Sequence, residues 1–378
     1  MIEKIWERIS YGLGLLLVGM IFGLVARSAM IEIKDLDLWL HLASGKYILE
    51  QGYVPAVDFL SCSIAGQPWI NHEWLFQVLV YKVHSLWGMD GILMGQTLIV
   101  ILTMVILFLL GFNKKKQLTF LFGFFLVFMV YQQRFTTRPD LFSLLFFSIY
   151  IYILALHIDK KWVIPALFVV QVLWTNMHGF FFFGPLFILI GIISEAMKRF
   201  LPLPYEWNES GRLTDEEFKR LIYALVWVSG ACLINPCFID GAIYPVRVLS
   251  SLGGENNIFF KFIQELQRPV SWATLFDFRN FVHYKLIIYI SAISFVFNRR
   301  NIDISAFFFW LVFLIFSINA ARNTAFFAFA AYLVFITNMI SISYANIIPI
   351  RFTEKKFEHL TAVFAKCLLI FWILSFGQ

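Results

Sequence analysis

The chain has 378 residues, 60% of them hydrophobic, 19% aromatic and only 14% charged, with a mean hydropathy of +0.77. Soluble domains carry about 45–50% apolar and about 25% charged residues, so a water-soluble globular fold and a disordered chain are both excluded. The net charge of +6 is gathered in short Lys/Arg clusters between apolar runs, the pattern of cytoplasmic membrane loops and not of a nucleic-acid surface.

The apolar runs lack the strict alternation of barrel strands. The expected fold is therefore all-α: a polytopic integral membrane bundle of about eleven transmembrane helices forming one domain over residues 1–378. Residues 11–30 have no small-x-small cleavage site and carry Arg27, so they read as a retained first span with a cytoplasmic N-terminus. Residues 31–90 form a first external loop. It is acidic over 31–73 and holds a helix over 38–50 and an interfacial helix over 74–87. Further spans are expected at 91–112, 118–131, 141–157, 163–175, 180–197, 221–234, 283–297, 304–318, 323–342 and 361–377. The clusters at 114–116, 160–161, 198–199, 299–300 and 351–356 orient them, with a cytoplasmic loop at 200–219 and a second external loop at 235–282. Cys62, Cys232, Cys237 and Cys367 have neither metal-type nor disulfide spacing, and no nucleotide motif is present.

With this topology, most polar residues that do not anchor loops fall at the external ends of spans. Among them are Asp35, Asp37, His41, His72, Glu73, Arg134, Arg138, Asp140, Asn176, His178, Asn235, Arg247, Arg322 and Asn323. Arginines at short external turns run against the positive-inside trend, and ionisable groups at membrane depth mark cavities or partners. Asp37 and His41 are spaced i, i+4; either acid, Asp35 or Asp37, also reads as a cap of the following helix. His72, with Asp37, His41 and His178, is a candidate divalent-metal site, although no H-E-x-x-H spacing supports it. Arg134 and Arg138 suit a forked grip on phosphate or, alternatively, snorkelling to headgroups. Asn176 and His178 occupy a turn between two spans, and Arg322 another.

The segments Asp37-Leu-Trp-Leu-His41-Leu-Ala-Ser-Gly45 and Gly66-Gln-Pro68-Trp69-Ile-Asn-His72-Glu73-Trp74, with Arg138-Pro139, Trp174-x-Asn176-x-His178-Gly179 and Asn235-Pro236, resemble a group of bacterial polytopic membrane proteins. That group is similar to the GT-C glycosyltransferases. The resemblance implies sugar transfer from a polyprenyl-phosphate-linked donor to an unidentified acceptor on the external face of a bacterial cytoplasmic membrane. It makes Asp37 the base, with Asp35 its substitute and His41 in support. Arg134, Arg138, His72, Glu73, Asn176, His178 and Arg322 are the substrate-binding set, with a divalent metal as a candidate cofactor. A non-catalytic lipid-linked-glycan transporter, an assembly partner and an acyltransferase-like enzyme are the alternatives.

Overall fold

The computed structural model describes residues 2–33, 35–114, 116–251, 262–341 and 355–376. Every extended regular element among them is a helix; an isolated bridge joins Val57 to Pro68. The helices are α1 (Ile2–Ala29), α2 (Asp37–Gln51), α3 (Trp74–Gly111), α4 (Gln117–Tyr131), α5 (Asp140–Leu156), α6 (Val163–Met177), α7 (Phe183–Phe200) and α8 (Asp215–Ala231). There follow α9 (Phe238–Ser251), α10 (Val282–Phe297), α11 (Ile304–Ile318), α12 (Thr324–Ser341) and α13 (Lys355–Phe376). Four stretches, Lys4–Ala29, Trp74–Gly111, Gly179–Phe200 and Ala321–Ile340, are long and apolar enough to cross a membrane. Residues 351–354 of the basic cluster at 351–356, position 115 and the stretch 252–261 of the second loop lie outside the described residues.

Most expected spans have a matching helix; α1 and α13 begin at Ile2 and Lys355, before the spans expected from 11 and 361, and three further differences stand out. The runs 74–87 and 91–112 join into one element, α3, broken only at Gly88, whose φ of 64° and ψ of −155° suit a residue without Cβ. Helix α8 starts at Asp215, inside the expected loop, because Thr214 and Glu217 form a reciprocal capping box. The second loop contains α9, an amphipathic helix with Pro245 inside it.

Aromatic packing fills the interior. The Phe147 ring lies 4.7–5.9 Å from those of Phe187, Phe313, Phe326 and Phe183. Helix α12 runs through this core, and its fully buried Ala325, Ala328, Ala330 and Ala331 allow neighbouring backbones to approach. In α2, Gly45 plays the same part. A Cβ there would lie 2.0 Å from the Gln77 carbonyl oxygen, so Gly45 is a close-approach residue within the helix. Gly52, at φ 77°, is what closes α2. At the other extreme of the chain, the buried Lys366 ammonium of α13 donates to the Ser10 carbonyl and hydroxyl oxygens of α1 and to Gln117 Oε1 of α4.

Polar side chains gather at the two ends of the helices. At one end Lys198 meets Asp303 at 2.6 Å, and Arg199 pairs with Glu195 at 3.0 Å. The other end carries the candidate site.

Candidate functional site

Short 3₁₀ turns supply much of this end. Gln132–Arg134 follows α4, Gly179–Phe182 precedes α7, Gln264–Leu266 lies in the second loop and Ala321–Asn323 precedes α12. They place Arg134, Glu265 and Arg322 beside Arg138 and Asp140, where Pro139 opens α5 with an acid in its first turn.

Arg138 is the centre of an ion-pair fan. Its Nε donates to Asp35 Oδ2 and its Nη2 to Asp35 Oδ1 at 3.2 Å. Nη2 also lies 3.0 Å from Asp37 Oδ2, and Nη1 lies 3.0 Å from Glu265 Oε2. Hydrogen bonding to Asp35, then the charges of Glu265 and Asp37, outweigh partial burial and raise the guanidinium pKa further. Buried Arg134 pairs with Asp140 and reaches Glu265 Oε2 at 3.3 Å. The two first-loop acids divide their work. Asp35 is buried, its side chain 6% exposed, and it accepts the Asp37 backbone N–H at 3.1 Å, tying the start of α2 to Arg138. Asp37 keeps 61% of its side-chain surface exposed.

Arg322 differs from the other two arginines. Among the described residues it has no carboxylate within ion-pair distance, and its buried Nε has no hydrogen-bond partner. Its guanidinium carbon sits 5.5 Å from the Phe180 ring centroid. Asp140 Oδ1, Arg134 Nε and Asn323 Oδ1 are buried without partners in the same region. Groups of this kind cost about 1–3 kcal/mol each unless water or a ligand meets them.

A second group adjoins the first. Glu73 Oε1 lies 3.4 Å from His72 Nε2 and 3.9 Å from His178 Nε2. Burial opposes ionisation of Glu73, yet the neighbouring imidazoles, His72 first and then His178 and His41, hold its carboxyl at about 2. At His72 burial is in turn outweighed by Glu73, and the pKa rises. At His178 burial wins against Glu73 and Asp140, and the pKa falls to about 4.

A hydrogen-bonded chain runs from Trp174 through Ser143 to His178. Trp174 Nε1 donates to Ser143 Oγ at 2.8 Å, and Ser143 Oγ lies 2.8 Å from His178 Nδ1. Ser143 accepts from Trp174 and meets Nδ1 with either its own proton or its second lone pair. Nε2 of His178 faces Glu73 at 3.9 Å.

Between pH 6.5 and about 4 an unfolded His178 binds a proton that the folded one does not, so its share of stability falls as pH falls through that window. His72 acts in the opposite sense. Replacing His178 by Gln should therefore flatten the acid side of the melting-temperature profile relative to the parent. An unchanged slope between pH 6.5 and 4 would remove His178 as the source.

Asn176 does not face the site with free polar atoms. Its Oδ1 accepts from Trp74 Nε1 at 2.7 Å, and its Nδ2 donates to the Val172 and Ile234 carbonyls at 2.8 Å each. It joins α3, α6 and the segment just after α8, so its polar atoms are engaged within the protein. Asn235 is likewise spent on backbone, and Arg247 pairs with Asp240 on exposed α9. His41 is buried against Phe76 while Asp37 is exposed, so the two do not present one open face. Among the described residues no three His, Cys, Asp or Glu side chains converge to hold a metal ion, so Asp37, His41, His72 and His178 do not fit the metal site expected of them.

Beside Trp74 runs an open groove of about 430 Å³, lined by Leu75, Val172, Leu173, Ile234 and Pro236 among others. A small recess lined by Trp74 and Pro236, both of which also line the groove, reaches His72. No known protein family, curated protein or solved structure matches the chain.

Glu265, Ser143 and Trp174 complete the site without having been selected from sequence. Glu265 is 131 residues from Arg134, and no local pattern signals the pair. Trp174 belonged to a recognised motif, and a buried Trp needs an acceptor for its N–H, which was the available signal.

Proposed function

We propose that the protein is a membrane-embedded, GT-C-like glycosyltransferase that takes a sugar from a polyprenyl-phosphate donor at the external face of a bacterial cytoplasmic membrane. The observation that carries this reading is Arg322: a partly buried cation with no counter-ion in contact among the described residues, set beside two arginines at the polar end of an apolar bundle. Such a group is costly unless an anion completes it. The apolar groove beside Trp74 suits a lipid chain, and exposed Asp37 leaves a carboxylate open to an acceptor.

On this reading Asp37 removes the proton of an acceptor hydroxyl as its oxygen attacks the anomeric carbon. The bond from that carbon to the phosphate oxygen breaks, and the electron pair leaves on the phosphate. Arg322, Arg134 and Arg138 stabilise the growing charge. His178 and ionised Glu73 line the adjoining side of the site.

The test is release of polyprenyl phosphate from a radiolabelled polyprenyl-phosphate sugar by the full chain in nanodiscs. Arg322→Ala should lower release roughly 10²-fold while shifting stability by only about 1 kcal/mol, the scale of one cation–π contact. Normal release by Arg322→Ala would detach Arg322 from the donor. The pairing of Arg134 and Arg138 with the chain's own carboxylates leaves a second reading, a non-catalytic transporter of lipid-linked glycan. Donor binding without cleavage would select it.

A further inference from the structure

The two arginines suited to a phosphate are already bridged by one oxygen. Glu265 Oε2 lies 3.3 Å from Arg134 Nη1 and 3.0 Å from Arg138 Nη1. An oxygen taking an N–H from each of two guanidinium groups has the surroundings of a bound phosphoryl oxygen. Neutralising these arginines does not require Glu265. Arg134 has Asp140, and Arg138 has Asp35 and Asp37. Without Glu265, Asp35, Asp37 and Asp140 already equal Arg134, Arg138 and Arg322 in number.

The turn that presents Glu265 is held independently of its carboxylate. Leu266 is buried, and the Ala321 N–H donates to the Gln267 carbonyl at 2.9 Å, which fixes this turn against the one carrying Arg322. The Glu265 side chain itself remains partly exposed. It can leave the arginines by rotating, with its backbone in place.

We propose that Glu265 Oε2 marks the position of the ligand's phosphoryl oxygen: the chain's own carboxylate stands in for a phosphate and must be displaced when an anionic ligand binds, with Arg322 supplying the third cation. This inference rests on the phosphate-lipid reading above and gives its site a built-in competitor. It also fixes the sign of a mutation. A structural partner that orients the arginines would weaken binding when lost; a competitor would strengthen it.

The measurement is the affinity of the full chain, in neutral phosphatidylcholine nanodiscs, for polyprenyl monophosphate, for uncharged polyprenol and for inorganic phosphate. Glu265→Gln should bind polyprenyl monophosphate about tenfold more tightly than the parent, the scale of one or two partly exposed charge-assisted contacts. Polyprenol binding should not change. A gain with inorganic phosphate as well supports the proposal with the phosphoryl group alone as the recognised element; a gain confined to the lipid supports it with the lipid as the source. Should Glu265→Gln fail to fold, Glu265→Asp withdraws the carboxylate by one methylene and carries the same expected sign. Measurable but equal or weaker binding of polyprenyl monophosphate by a folded variant overturns the competitor and leaves the phosphate site standing. Absence of binding to every probe by parent and variant alike sinks the phosphate reading and this inference with it.

Discussion

Asp37→Asn is expected to cut the proposed sugar transfer by roughly 10²-fold or more while leaving stability within about 0.5 kcal/mol of the parent. Asn matches Asp in size, and the Asp37 side chain makes no capping hydrogen bond on α2, so mainly charge and basicity are lost. The Asp37 side chain is largely exposed, and its contact with Arg138 is a partly solvated ion pair. Asp35→Asn should behave differently. That carboxylate is buried, takes two Arg138 donors and accepts the Asp37 backbone N–H. Its loss should cost about 1.5–3 kcal/mol, and transfer should fall in step with stability. Parallel melting and transfer assays separate the cases. Full transfer by Asp37→Asn would move the base to another carboxylate.

Gly45→Ala should be among the most damaging single-methyl additions in the chain. The new Cβ would sit 2.0 Å from the Gln77 carbonyl oxygen and 2.8 Å from Tyr81 Cβ. The first obstacle is backbone inside α3, which cannot rotate away, so α2 must lift off α3. Overpacking of this kind costs about 3 kcal/mol. Because Asp37 and His41 ride on α2, transfer should fall with the melting temperature. A Gly45→Ala protein that melts and turns over like its parent would show that the two helices do not need this approach.

Apolar length was enough to place most helices; the span expected at 304–318 has the bounds of α11. What escaped was governed by other physics. The start of α8 is set by a capping box within a polar stretch, and α9 is too polar on one face to register as a span. The arginines, acids and imidazoles of the site were visible because ionisable groups are rare in so apolar a chain. Their division of labour was not. Asp35 and Asp37 are two residues apart and chemically equivalent until packing buries one of them. Asn176 looked like a site residue because its partners, Trp74 and the Ile234 carbonyl, are distant in sequence. Glu265 stayed hidden for the same reason.

The Lys366 clamp sets an order on how this protein can be made. Ser10 and Gln117 are synthesised 356 and 249 residues before the ammonium that joins them. At roughly 5–20 residues per second, Gln117 waits about 10–50 s for that partner. Throughout that interval the polar groups of Ser10 and Gln117 must be met by transient water, lipid or the insertion machinery. The seam that ties α1 and α4 to α13 therefore closes only after α13 has been made.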